Sequence, residues 1–248
     1  MNFRAALRIA GLLLLFAVLA PIHIVAKLAG GGRSPWPARF LAAAGRIIGA
    51  RVRLEGAAIR PHTLLVSNHV SWLDIIVLGG ATRCAFVSKA KLGHPFIHWL
   101  ADQNATVYVD RTHLKGAKEQ AIAIANALER AQAVALFPEG TTGPGTHLLP
   151  FRSTLLEAAN VAAKDVAIRP VAMDYGAAAA EVGWYEEPGK NNVLRLLGRK
   201  GRLPVTVRVL PPLDRSADRK QLTREARDAI AERLGFKSPP HSPIGEPQ

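Results

Sequence analysis

The sequence predicts an α/β protein: a mixed, largely parallel sheet flanked by helices on both faces, with an N-terminal hydrophobic membrane-anchoring helix in front of it. Three observations carry this. Short Val- and Leu-rich runs alternate with longer amphipathic segments between about residues 50 and 210, the pattern of parallel strands joined by covering helices. Ile9–Ala26 is an apolar stretch whose only ionisable residue is His23. The 248 residues are enough to bury a full core in one domain plus an appendage.

In chain order, the apolar stretch comes first. Its eighteen residues are near the short limit for crossing a bilayer, so length alone allows a spanning helix or an interfacial one, with a kink at Pro21. A signal peptide is disfavoured, because Val18-Leu19-Ala20 is a poor cleavage site with Pro21 after it. Arg4 and Arg8 precede the stretch, whereas Lys27, Arg33, Arg39, Arg46, Arg51 and Arg53 follow it. That asymmetry predicts an inner-membrane protein with its globular part facing the cytoplasm. Gly30–Pro35 reads as a linker, so residues 1–35 form anchor and linker, 36–237 the main domain, and Pro/Ser-rich 238–248 a disordered tail.

Within the main domain, Pro37–Gly49 is an amphipathic helix with Phe40, Leu41, Ala44, Ile47 and Ile48 on one side. Strands are expected at Arg51–Leu54, Thr63–Ser67, Cys84–Ser88, Thr106–Val109, Ala133–Phe137, Val166–Met173 and Leu203–Leu210. Helices are expected from Ser71, near Pro95–Leu100, and over Lys115–Gln132, Ser153–Ala163 and Ser216–Leu234. The single cysteine, Cys84, lies in an apolar run and excludes an internal disulfide or a Cys-based zinc site.

The net charge of +13 is unevenly spread. Residues 1–60 hold nine Lys/Arg against one acid and residues 190–237 thirteen against five, while residues 61–189 hold ten against twelve. Basic flanks around a near-neutral centre suit an anionic membrane surface or acidic ligands. Nucleic acid is not expected as a partner, because no helix-turn-helix, zinc or aromatic-basic RNA signature is present.

Four stretches carry chemistry. Ser67-Asn68-His69 ends a strand and Asp74 follows five residues after the histidine, on a strand-to-helix turn. Such a pair makes a general base and its orienting carboxylate, although Ser71-x-x-Asp74 also has the spacing of a capping box. Phe137-Pro138-Glu139-Gly140-Thr141-Thr142 ends a second strand in a tight turn that holds Glu139 outward. Val107-Tyr108-Val109-Asp110-Arg111 ends a third with an arginine that can grip a phosphate. Ile168-Arg169-Pro170-Val171 is an apolar strand interrupted by proline. Elsewhere, His94 reads as a helix cap and His98 as a pocket or core residue rather than as metal ligands. Asn191–Arg202 reads either as a basic segment resting on anionic lipid or as a solvated helix.

Taken in order, N-H-x-x-x-x-D at Asn68–Asp74, K-x-x-L at Lys89–Leu92, V-Y-V-D-R, F-P-E-G-T and the Pro-Val strand resemble the glycerolipid acyltransferase family. The match is to its bacterial 1-acylglycerol-3-phosphate acyltransferase (PlsC-type) branch and covers about residues 37–235. The resemblance implies the αβα fold of that family, membrane attachment and transfer of a fatty acyl group from a thioester to a lysolipid hydroxyl. It implies His69 as general base, Asp74 as its partner, Arg111, Glu139, Gly140 and Thr141 in acceptor binding, and Lys89 near the phosphate. It implies no metal and no bound cofactor; acyl-CoA or acyl carrier protein enters as the thioester co-substrate, and membrane lipids are partners.

Two positions depart from the family pattern. Its second block usually opens with Gly where this chain has Ala105, and its third commonly continues Thr-Arg where this chain has Thr141-Thr142. The resemblance implies 1-acylglycerol 3-phosphate as acceptor, giving phosphatidate; the missing arginine, for which Arg152 or Arg169 could substitute, keeps lyso-ornithine lipid, on which a related branch acts, as the alternative. With no G-x-S-x-G elbow and no Ser or Cys placed for His69 to activate, the expected chemistry is direct attack by the acceptor hydroxyl. A non-catalytic basic membrane-binding protein is the alternative outside enzymes, and the His69, Asp74 and Glu139 set argues against it.

Overall fold

Strand β2, Thr63–Ser67, buries every residue, and its alternate side chains feed two separate cores. Leu65 packs into one, with Phe86, Ala135, Val171, Met173 and Val207. Leu64 and Val66 pack into the other, with Val87, Leu136, Ile168 and Leu156. That period of two dictates a sheet covered on both faces. The computed structural model describes residues 2–30, 34–89, 94–109, 117–129, 132–162, 165–214 and 218–237; the expected linker core, the expected tail and Arg111 lie outside them.

Seven strands form the sheet: β1 (Ala50–Gly56), β2, β3 (Ala85–Lys89), β4 (Val107–Val109), β5 (Val134–Leu136), β6 (Ala167–Asp174) and β7 (Leu203–Val209). Their order is β1-β7-β6-β2-β5-β3-β4. Every neighbouring pair is parallel except β6 and β7, so the sheet is mixed and largely parallel, as expected. Proline is tolerated in β6 because its antiparallel ladder with β7 begins only at Val171, one residue past Pro170.

On one face lie α1 (Phe3–Ala29), α2 (Trp36–Ile48), α3 (Leu73–Thr82) and α8 (Gly189–Gly198); Ala5, Ile48, Val77 and Leu196 from them enter the first core. On the other lie α5 (Ala117–Leu128), α6 (Glu157–Val161) and α9 (Arg219–Leu234), whose Ile124, Ala159 and Leu222 enter the second. The short α4 (Pro95–Gln103) and α7 (Ala179–Val182) complete the set. His94 caps α4, its ring accepting from Phe96 N at 3.2 Å, and Cys84 is buried.

Some expectations change. The N-terminal helix is longer than the apolar stretch and continuous through Pro21. The segment expected as one helix from Ser153 opens as a 3₁₀ turn, Ser153–Leu156, before α6. Asn191–Arg202 is built into the body rather than laid on lipid: Leu196 and Leu197 are buried, while Arg195 and Arg199 pair with Glu187 and Glu181.

Candidate functional site

The strand order explains how distant blocks meet. β5 sits between β2 and β3, and Val66 pairs with Leu136. Continuing this register brings His69 beside Glu139, at the carboxyl edge where α/β sheets hold ligands. Asn68, buried, extends β2 by side chain rather than backbone. Its Oδ1 accepts from Met173 N at 2.8 Å and its Nδ2 donates to Met173 O at 3.3 Å. The main chain is thereby free to turn at His69.

Asp74 is completely buried, and four donors converge on it. Oδ2 accepts from Val70 N at 2.6 Å and Ser71 N at 2.9 Å and lies 2.8 Å from His69 Nδ1. Oδ1 accepts from the Tyr175 hydroxyl at 2.5 Å. Because Oδ2 accepts from both backbone donors, the ring nitrogen facing it is the donor Nδ1–H, which turns Nε2 away from Asp74. The helix-capping and histidine-orienting roles of Asp74 are therefore fulfilled together by one oxygen. The imidazole stacks on Phe137 with ring centroids 4.0 Å apart, which fixes its plane.

Glu139 does not point outward as the turn suggested. It is buried and braces the backbone: Oε1 accepts from His69 N at 2.7 Å and Oε2 from Leu149 N at 2.9 Å. Burial, opposed by those two N–H donors, pushes its carboxyl up to about 7. Gly140 follows with φ +76°, a value that makes glycine the natural residue in this turn. Gly143 N closes the loop by donating to His69 O at 2.8 Å.

His69 opens onto a cavity of about 1070 Å³ lined mainly by apolar side chains, among them Phe16 and Leu19 of α1, Phe40 of α2, Ile75 of α3 and Trp99 of α4. Lys89, Gly140 and Thr141 line the same cavity, so with His69 four of the sequence-selected residues gather there, and Asp74 and Glu139 are bonded to the His69 turn. Arg152 and Arg169 do not line the cavity. The Arg169 guanidinium is occupied by Leu210 O, Ala57 O and Ala58 O, which rules it out as the substitute for the missing arginine. No group of three or more His, Cys, Asp or Glu side chains able to hold a metal occurs among the described residues.

Sequence reading missed three contributors. Tyr175 lies 101 residues from Asp74 and only the fold unites them. Asn192, buried, accepts from Trp72 Nε1 at 2.9 Å and donates to Val182 O and Gly183 O, binding α8 to the His69 turn. Trp184 N donates to Val70 O at 2.9 Å, pinning the 183–187 loop to the same turn. Asn68 had a signal, its place before His69; these three had none.

A histidine held by a buried carboxylate at the mouth of a long apolar cavity defines a class, and comparison with known proteins gives the same one. The acyltransferase family profile matches residues 51–174, and the chain belongs to that family; it is an acyltransferase. Among its relatives is the lyso-ornithine lipid O-acyltransferase of Rhodobacter capsulatus, 30% identical over 95% of this chain and 91% of that protein. The 1-acyl-sn-glycerol-3-phosphate acyltransferase of Neisseria gonorrhoeae is 32% identical over 51% of this chain and 46% of that protein. The crystal structure of the 1-acyl-sn-glycerophosphate acyltransferase of Thermotoga maritima shares the fold, with a TM-score of 0.59 at 21% identity over 92% of this chain and 96% of that one.

Proposed function

We propose that this acyltransferase moves a fatty acyl group from acyl-CoA or acyl carrier protein to the free hydroxyl of a lysolipid, with His69 as general base. The observation that carries this is the Asp74–His69 pair, with His69 lining the apolar cavity. In this reading the acyl chain lies in the cavity with its thioester carbonyl beside His69. The acceptor hydroxyl gives its proton to Nε2 as its oxygen attacks the carbonyl carbon. The tetrahedral intermediate then collapses: the C–S bond breaks and the leaving thiolate takes the proton back from the imidazolium. Asp74 stabilises that imidazolium, and the Thr141–Thr142 backbone, which lines the cavity, is the candidate to meet the oxyanion. General-base catalysis is worth ~100- to 10,000-fold; the cavity supplies positioning.

Lyso-ornithine lipid is the acceptor favoured by the near full-length relative and by Thr142 standing where the resembling family carries arginine. 1-Acylglycerol 3-phosphate is the second reading, favoured by the relatives that match about half of the chain.

Membrane attachment follows from α1, which is long and apolar enough to cross a bilayer. It is nevertheless held to the body at both ends. Asn2 and Arg8 donate to carbonyls at the end of α8, and Lys27 donates to Gln103 at the end of α4. A spanning α1, ~40 Å long, would draw Arg195 and Arg199 or Asp102 into hydrocarbon. The reading is an interfacial helix, its exposed Phe3, Leu7, Leu14, Val18, Val25 and Leu28 facing lipid, on the cytoplasmic side of the inner membrane. The test incubates detergent-purified protein with long-chain acyl-CoA and a lysolipid panel, with products identified by mass spectrometry. Acylation of neither lysolipid overturns the assignment.

A further inference from the structure

One lysine and two glutamates line the cavity: Lys89, Glu186 and Glu187. Glu187 is already compensated. Arg195 donates to both its oxygens, at 2.6 and 2.8 Å, and Asn192 adds a third bond; together they pull its carboxyl down to about 2. Among the described residues no ion pair involves Lys89 or Glu186, and both are exposed. The lining thus holds one lysine and one glutamate outside ion pairs, Glu186 being hydrogen-bonded by the neighbouring Tyr185 side chain, among mostly apolar residues.

Glu186 is held in place by its loop. Two residues earlier, Trp184 N is bonded to Val70 O, next to His69, and Trp184 Nε1 donates to Glu187 O at 3.0 Å. Glu186 itself takes φ +52°, a left-handed conformation uncommon outside glycine and asparagine. Glu186 therefore lines the same cavity as His69 on a loop tied to the His69 turn.

Resting on the acyl-transfer reading above, we propose that Lys89 and Glu186 form a head-group subsite selecting a zwitterionic acceptor. Glu186 meets the ammonium of an amino-acid head group and Lys89 its carboxylate. A phosphate monoester finds one cation there, faces the Glu186 carboxylate and lacks the arginine that Thr142 replaces. Opposed charges thus act here chiefly as a specificity device, penalising the wrong acceptor as well as attracting the right one.

The test measures kcat/KM for lyso-ornithine lipid and for 1-acylglycerol 3-phosphate in parallel, with acyl-CoA as donor, for the wild type, Glu186→Gln, Glu186→Asn and Glu186→Lys. Asparagine suits the left-handed backbone, so it separates loss of charge from loss of loop geometry. The ornithine-to-phosphate ratio is expected to fall ~3- to 10-fold in both neutral variants and further in Glu186→Lys, where the phosphate acceptor gains. Lys89→Gln is expected to slow both acceptors. A ratio unchanged in all three Glu186 variants overturns the subsite while leaving the acyltransferase reading intact. Failure of the wild type on both lysolipids overturns the reading beneath it.

Discussion

At the scale of single residues, the site depends on two buried carboxyl groups in different roles. Asp74 collects four donors and turns the His69 ring. Tyr175 acts through Asp74, so Tyr175→Phe is expected to lower kcat ~10-fold by removing one charge-assisted bond. With that donor gone, the Asp74 charge pulls harder on the His69 proton, and the acid limb of the pH–kcat/KM profile moves to higher pH. A slower enzyme with an unmoved limb would reduce Tyr175 to packing. Glu139 gives a stability signature instead. Its carboxyl keeps its proton up to about pH 7 when folded, against 4.5 ordinarily. Between those values the folded chain binds more protons than the unfolded one, so stability falls as pH rises through the window. Relative to Glu139→Gln, the wild type should lose on the order of 2–3 kcal/mol between pH 4.5 and 7.5, measured by urea unfolding in detergent.

At the scale of elements, one departure from the family pattern now has a physical meaning. Ala105, where glycine is usual, has φ +55° at the end of α4, and a left-handed conformation costs an alanine about 1 kcal/mol. Ala105→Gly is expected to raise stability by ~0.5–1 kcal/mol without lowering activity; a loss of stability would mean that the methyl contributes packing. The strands were legible because their apolar runs end in Asn, Pro or Gly, as at Ser67-Asn68 and Phe137-Pro138. His69, Asp74 and the Gly140 turn were legible because each lies within a short block beside a strand end. Glu139 was located but its direction was not, since the loop it braces returns only at Leu149. Tyr175 and Asn192 were not legible: their partners lie 101 and 120 residues away, and nothing local in β6 or α8 marks them.

At the scale of the whole molecule, α1 is part of the enzyme's body as well as its proposed anchor. Ala5 is buried in the first core, Ile9 and Leu12 pack against it, and Phe16, Leu19, Ala20 and His23 line the cavity. Removing residues 1–30 is therefore expected to destabilise the catalytic body as well as detach it. An interfacial α1 leaves both its ends on one side of the membrane. Cysteines placed singly at Arg4 and Gly30 should both react with an impermeant thiol reagent in inverted vesicles, whereas protection of one would indicate a spanning helix. The central claim, that His69 removes the proton from a lysolipid hydroxyl, is tested most directly by thiol release from long-chain acyl-CoA with lyso-ornithine lipid present, comparing wild type with folded His69→Ala. The account predicts a loss of at least ~100-fold in kcat with an unchanged circular dichroism spectrum. Turnover within a few-fold of wild type would contradict it.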